Sequence, residues 1–167
     1  MAFIGMIITL VLILVAFFGP WYGGESNSVE SYASLTEWTM KGGGMETTMK
    51  ISEMGDDDVE GVFNNTYYMS IAALIFAILA LIGTLGLFFN FGPANTMKWL
   101  AFTFGMLTFI FALIAALYFM AALPGATDTG EGFWNDNTGP AYGWYLMLVA
   151  GIIGLVFSLP LLKKEAA

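Results

Sequence analysis

Four long apolar stretches alternate with polar segments along the 167 residues of this chain. They cover the ranges 2–20, 69–91, 97–123 and 143–162. The hydrocarbon core of a bilayer is about 30 Å thick, so about 20 helical residues cross it. A transmembrane β-barrel would need alternating segments of about 10 residues, and none of these stretches alternates. The pattern predicts an all-α membrane protein in which a four-transmembrane-helix bundle forms a single membrane domain.

The polar segment between the first two stretches has the composition of a small sheet. Two runs rich in Thr, Tyr, Trp and Ile, 31–40 and 45–54, flank a glycine run at 41–44 that tolerates positive φ. In the second run, one set of alternate positions holds Met45, Thr47, Met49 and Ile51. Such alternation predicts one covered and one wet face. We expect a small extracytoplasmic β-sheet that lies on the helix ends or on the second loop.

Composition excludes several kinds of chemistry. The chain has no Cys, no His and no Arg, so thiolate sites, imidazole bases and bidentate phosphate recognition are excluded. The net charge of −8 gives no basic patch, so nucleic acid is not an expected partner. Ionisable side chains are missing from the interior of all four stretches, which argues against a pump or a buried acid–base enzyme. We expect a protein without enzymatic activity and without a cofactor.

Charge asymmetry predicts the orientation. The loop 21–66 carries nine acidic residues and two lysines, and the loop 124–141 adds three acidic residues. The opposite side carries Lys98, Lys163 and Lys164 against Glu165. Lysines near helix ends favour the cytoplasmic side of the cell membrane. Both termini are therefore predicted to be cytoplasmic, and both acidic loops are predicted to lie outside the cell. The inverted orientation is the alternative. The first stretch lacks the features of a cleaved signal peptide and is expected to be retained as an anchor.

Two further patterns concern packing. Small residues recur at helical spacing in each stretch and predict close helix contacts, as at Gly105 and Gly151, whereas Leu12 is expected to face lipid. The alternative is that the small residues form the interface of a homo-oligomer. Aromatic residues near the outer helix ends, including Trp21 and Trp144, are expected at the headgroup level.

The layout of these elements resembles that of the claudin and peripheral-myelin-protein superfamily. Members of that superfamily have four helices, cytoplasmic termini, a long first outer loop folded as a sheet and a shorter second outer loop. Trp38 is the candidate counterpart of the family's loop tryptophan. The paired loop cysteines and the Gly-Leu-Trp run of the family are missing here, so the resemblance is one of layout. It implies a structural or interaction role.

The sharpest local cluster is acidic. Asp56, Asp58 and Glu60, followed by Gly61, have the spacing of the first half of a calcium-binding loop. The position that should supply a bidentate Glu is Tyr67, so the cluster is a weak Ca²⁺ candidate, and a solvated acidic turn is the favoured interpretation.

Two other motifs have a plain structural alternative. Soft thioethers suit Cu(I), and the outer loop is rich in them, at Met40, Met45, Met49 and Met54. Core packing of the sheet explains them equally well. Asn64, Asn65 and Thr66 form an N-glycosylation sequon close to the second helix.

The functional hypothesis that follows is a structural or interaction module acting through an acidic outer face. Its expected partners are the lipid bilayer and either a second copy or other membrane subunits. An accessory subunit of a larger membrane complex is the first alternative. A pore or channel component is the second, although no polar face continues through the four stretches.

Overall fold

The structure is a computed structural model that describes residues 2–26, 28–127 and 138–162. The described α-helices are α1 (Ala2–Phe18), α2 (Asp57–Phe89), α3 (Ala94–Ala126) and α4 (Tyr142–Ser158). The described strands are β1 (Tyr22–Ser26), β2 (Val29–Ala33), β3 (Glu37–Gly42), β4 (Met45–Lys50) and β5 (Thr138–Pro140). Short 3₁₀ turns follow β4 at Ile51–Glu53 and α4 at Leu159–Leu162. Lys163, Lys164, Glu165 and most of the predicted second loop, 128–137, lie outside the described residues.

Three described helices are long and apolar enough to cross a membrane. They are Asp57–Phe89, Ala94–Ala126 and Tyr142–Leu161, while the apolar helix α1 has 17 residues and is shorter. The prediction is therefore confirmed at the level of a mainly helical protein with membrane-length apolar helices and a small antiparallel sheet. The polar side chains Thr9, Ser70 and Thr108 each donate to a carbonyl of their own helix, as expected for isolated hydroxyls in apolar helices.

Helix α2 begins well before the apolar stretch that it contains. Its first residue is Asp57, although the sequence pattern predicts a loop up to residue 66. The Asp56 carboxylate explains the early start, because Oδ1 accepts the free backbone N–H groups of Asp58 at 3.2 Å and Val59 at 3.1 Å. At 1.5 Å per residue, a 33-residue helix is about 50 Å long. The helix is therefore about 20 Å longer than a hydrocarbon core of about 30 Å.

Glycines set the spacing between helices, as the small-residue pattern predicts. A Cβ added to Gly105 would lie 2.7 Å from Cβ of Ser158, and one added to Gly151 would lie 3.1 Å from that of Ala112. Helix contacts join α2 to α3, α1 to α4, α3 to α4 and α1 to α2. The expectation for Leu12 is wrong, because this residue is half-buried against the core. Val11, which is 51% exposed, lies on the outer face instead.

The sheet has five antiparallel strands in the order β4-β3-β2-β1-β5. The predicted hairpin is confirmed as β3 and β4, joined at Gly43 and Gly44 with φ of 58° and 80°. The predicted covered face of β4 is wrong, because Thr47 is exposed and Met45 is 75% exposed. In this part of the sheet, Thr39 of β3 and Ile51, which follows β4, are buried. Strand β5 joins the sheet by pairing with β1, so the second loop contributes to it.

An aromatic core fixes the sheet to the helices. The Trp21 ring packs edge-on against Phe119 with centroids 5.4 Å apart, and Phe63 contacts the same phenylalanine at 5.1 Å. Trp21 also donates from Nε1 to the carbonyl of Ala16 at 2.7 Å. Trp21 is fully buried and Trp144 is 6% exposed within the protein, whereas their level in the bilayer stays a prediction. The indole N–H groups of both residues form hydrogen bonds inside the protein, as buried indoles require.

Candidate functional site

The candidate site lies at the sheet end of the molecule, defined here as the five strands, residues 51–56 and the first three turns of α2. All the described acidic residues of the chain lie at this end, and the apolar helix faces lie away from it. Three features of the sheet end have distinct chemistry: the acidic start of α2, the outer edge of β4, and a cleft between the sheet and α2.

The acidic start of α2 is built as a helix N-terminus. Asp56 caps the helix through its carboxylate, and Asp58 and Glu60 lie in the first turn, where negative charge favours the helix dipole. Glu60 Oε1 accepts a hydrogen bond of 3.2 Å from Asn64 Nδ2. Within the described part of the chain, no group of three or more acidic side chains converges as a metal site. The weak Ca²⁺ site at Asp56, Asp58 and Glu60 stays a prediction.

An opening other than this cleft separates the start of α2 from the end of α3. It measures about 370 Å³ and is lined by Asp57, Asp58, Asn65 and Tyr118 among others. Asn65 Nδ2 donates to the Tyr118 hydroxyl at 3.0 Å and so ties the two helices together. This hydrogen bond indicates a structural contact between the two helices.

Among the described residues, no strand pairs with the outer edge of β4. β4 is the terminal strand of the sheet, it has six residues, and it contains no proline. The backbone N–H of Ile51 donates to Thr36 at 2.9 Å, in register with the β3–β4 ladder. Because backbone groups alternate sides along a strand, those of Glu46, Thr48 and Lys50 point away from β3. These groups are available for pairing with another strand.

Charged and hydroxyl side chains alternate along this same edge. Lys41 Nζ lies 3.3 Å from Glu46 Oε1, and the Thr39 and Thr48 hydroxyls lie 3.0 Å apart. Glu37 is the register partner of Lys50. The Tyr32 side chain, whose ring centroid is 5.3 Å from Lys41 Nζ, and then the Glu46 carboxylate raise the pKa of Lys41 above its ordinary value. Lys41 is therefore held positive beside Glu46.

The four methionines do not all lie on one face. Met40, Met45 and Met49 share one face of the β3–β4 hairpin by register, whereas Met54 packs against the core beneath the sheet. At about 3.3 Å per residue, the Cα atoms of Met45 and Met49 are about 13 Å apart. Met45 and Met49 therefore lie near opposite ends of β4. The packing interpretation accounts for Met49 and Met54, while Met40 and Met45 are exposed.

The sequon lies inside α2. Asn64 is exposed and bonded to Glu60, but Thr66 is fully buried and its hydroxyl donates to the carbonyl of Val62 at 2.8 Å. The hydroxyl that the sequon requires is therefore occupied in the folded protein.

The cleft between the sheet and α2 has a volume of about 280 Å³. Its sheet side contains Glu37, Lys50 and Ser52, and its helix side contains Asn64, Tyr67 and Tyr68. Sequence reasoning missed this cleft, because it depends on where α2 lies against the hairpin. The Tyr67–Tyr68 pair just before the apolar stretch was the available signal for an interfacial position.

Comparisons with known proteins assign no family. No protein-family model matches the sequence, and no curated protein matches it significantly. The function is therefore inferred from the geometry and chemistry of this chain.

Proposed function

We propose that this chain is a non-enzymatic, multi-pass membrane protein of claudin-like layout that acts as a structural or interaction module through its acidic sheet end. It does so by pairing with a second copy of itself along β4. The observation that carries this proposal is the open edge of β4, whose side-chain charges are complementary to those of an identical strand.

All four helices span the bilayer in this proposal, including α1. Its 17 residues are about 26 Å long, and the apolar chain continues through Gly19 and Pro20 to the interface. The sheet end is outside the cell membrane and both termini are cytoplasmic. Lys98 beside the α2–α3 turn, together with the sequence lysines 163 and 164, supports this orientation by the positive-inside rule.

Charge complementarity selects the pairing register. An antiparallel pair of β4 strands centred on Thr48 places Glu46 of one copy opposite Lys50 of the second copy, and the reverse. On each side of the two-fold axis, four charged residues then follow one another across the two sheets with alternating sign. They are Lys41 and Glu46 of one copy, followed by Lys50 and Glu37 of the second copy. The register also pairs backbone groups of Glu46, Thr48 and Lys50, which are those that face the edge. A parallel pairing in register would instead oppose like charges, which destabilises a strand pair.

The expected affinity is modest. An exposed ion pair contributes about 0.2–1 kcal/mol, and a typical backbone hydrogen bond contributes about 0.5–1.5 kcal/mol net. A few such contacts give reversible association. This association is favoured when both copies are confined to one membrane or to apposed membranes. Isologous contact of this kind closes as a dimer with two-fold symmetry.

Cysteine cross-linking tests the pairing directly, because the chain contains no native Cys. We expect Thr48→Cys to form a disulfide-linked dimer in membranes under mild oxidation, since paired residues lie within the 4.4–6.8 Å Cα range of disulfides. Thr36→Cys, exposed but away from the β4 edge, is the matched control and should remain monomeric. Equal cross-linking at both positions, or none at position 48, would reject the β4 interface.

A charge exchange separates pairing from general surface effects. Lys50→Glu in the Thr48→Cys background should reduce cross-linking, because Glu46 then opposes a second carboxylate. Adding Glu46→Lys should restore it, because the two charges are exchanged and remain complementary. If the double variant cross-links no better than Lys50→Glu alone, the register is wrong.

An accessory subunit of a larger complex is supported by a different observation. Val29, Met40 and Met45, in β2, β3 and β4, are 42%, 38% and 75% exposed. Methionine-rich apolar surfaces adapt to protein partners. Mild extraction from the native membrane followed by identification of co-purifying proteins tests this alternative. Recovery of one stoichiometric foreign subunit, lost in a Met45→Glu variant, would favour it over self-pairing.

A further inference from the structure

The cleft between the sheet and α2 carries two opposite charges at its mouth. Glu37 and Lys50 are directly opposed in the β3–β4 register, and both are exposed. Within the described residues neither forms an ion pair at 4.0 Å or less, whereas Lys41 and Glu46 on the same ladder do. The cleft thus offers a separate anion-binding and cation-binding group. Opposed side chains on paired strands have Cβ atoms about 4.5–5.5 Å apart.

The other wall of the cleft is amphipathic. Tyr67 and Tyr68 pack edge-on with centroids 5.7 Å apart, and Asn64 lies one turn above them on α2. Tyr67 also contacts Phe17 at the end of α1, at 5.1 Å, so the cleft lies level with the start of the apolar helix surface. Aromatic faces attract cationic ammonium groups as well as apolar chains.

An exposed apolar track leads from the cleft along α2. Tyr68, Ile75 and Ile82 are 66%, 50% and 43% exposed, and their seven-residue spacing places them on one helix face. The track enters the cleft at Tyr68. A ligand that fills both must be polar at one end and apolar along its length.

We infer that the cleft binds the headgroup of a zwitterionic phospholipid from the surrounding bilayer. Lys50, with the nearby Ser52 hydroxyl, binds the phosphate, and Glu37 together with the tyrosine faces binds the ammonium group. The acyl chain lies along Tyr68, Ile75 and Ile82. A volume of about 280 Å³ accommodates a headgroup and not a whole lipid, which matches a site that opens onto the helix surface. This inference rests on the proposed position in the bilayer and not on β4 pairing.

A retained-lipid measurement tests the inference. The full chain is purified in mild detergent, incubated with an equimolar mixture of phosphatidylethanolamine and phosphatidylglycerol, and analysed by native mass spectrometry. We expect preferential retention of one phosphatidylethanolamine molecule. Lys50→Gln and Glu37→Gln should each lower this retention about threefold, the size expected for one exposed ionic contact. Lys41→Gln and Glu46→Gln, which change the same charges elsewhere on the ladder, should leave it unchanged.

Three outcomes would overturn the inference. Equal retention by all four variants would show that the cleft charges do not bind the headgroup. A preference for phosphatidylglycerol that Glu37→Gln leaves unaltered would exclude a zwitterion. Complete displacement of the lipid by an equal concentration of soluble phosphoethanolamine would show that the apolar track contributes nothing.

The Glu46→Lys, Lys50→Glu double variant distinguishes this site from the β4 interface. It should regain cross-linking at position 48 but should retain no more lipid than Lys50→Gln, because the cleft then holds two carboxylates. Lipid retention at the wild-type level in this variant would contradict the site. Because both positions are exposed, an unchanged circular-dichroism spectrum is expected and serves as the folding check.

Discussion

The indole of Trp144 on α4 donates a hydrogen bond of 2.9 Å to the backbone carbonyl of Ala116 on α3. The two residues are 6% and 0% exposed, so the bond joins the two helices inside the protein. It lies close to the aromatic contacts that hold the sheet, which makes it a sensitive point for the stability of the whole sheet end.

Trp144→Phe should destabilise the protein. The substitution removes the N–H donor and part of a buried ring, and the lost hydrogen bond alone is worth about 0.5–1.5 kcal/mol. The measurement is thermal unfolding in detergent followed by near-ultraviolet circular dichroism. Trp99→Phe is the matched control, because Trp99 is 54% exposed. A control that melts as early as Trp144→Phe would show that the interhelical bond is not the cause.

Gly83→Ala should also destabilise, through the α2–α3 contact. A Cβ at this position would lie 2.6 Å from the backbone nitrogen of Ala101, which cannot rotate away. Overpacking of this kind typically costs about 1–3 kcal/mol. Gly61→Ala on the same helix is the control, because a Cβ there meets nothing within 4 Å. Since Ala is the better helix former, the control should gain up to about 1 kcal/mol. Opposite signs in chemical unfolding would support the packing; equal signs would refute it.

Asp56 is expected to stabilise α2 as a cap. Asp56→Ala should cost about 1 kcal/mol, while Asp56→Asn retains an accepting oxygen and should cost little. Millimolar Ca²⁺ should not raise the melting temperature of the wild-type protein beyond the effect of NaCl at equal ionic strength. A calcium-specific increase that Asp56→Asn with Asp58→Asn abolishes would instead establish the cation site.

The topology is testable with single cysteines. In intact cells, a membrane-impermeant maleimide should label Thr36→Cys, which is exposed between β2 and β3 and lies away from the β4 edge, but not Asn95→Cys at the start of α3. After the membrane is permeabilised, both should react, which controls for burial. Labelling of Asn95→Cys alone in intact cells would reverse the proposed orientation and place the acidic sheet end in the cytoplasm.

The sequence by itself determined the helices and one hairpin. Long apolar segments can satisfy all their backbone hydrogen bonds within the segment only as α-helices. Helices α2, α3 and α4 could therefore be located from composition. The β3–β4 hairpin was found because Gly43 and Gly44 supply the positive φ that its turn requires. These are local relationships, in which the residues that decide the structure are neighbours in the chain. The cap at Asp56 is equally local, and the acidic residues after it were a usable signal for the start of α2.

Only the tertiary structure decided how these elements meet. Strand β5 pairs with β1, so that Pro140 lies opposite Tyr22. Neither strand has an alternation strong enough to predict a partner so distant in the chain. Tryptophan is a residue type common at membrane interfaces, yet Trp21 and Trp144 are buried in the protein. Carbonyls of distant or neighbouring residues accept their N–H groups there. The cleft likewise depends on the position of the hairpin against α2, and the free edge of β4 depends on the strand order of the sheet. Pairing and burial between distant segments depend on geometry that no local run of residues encodes.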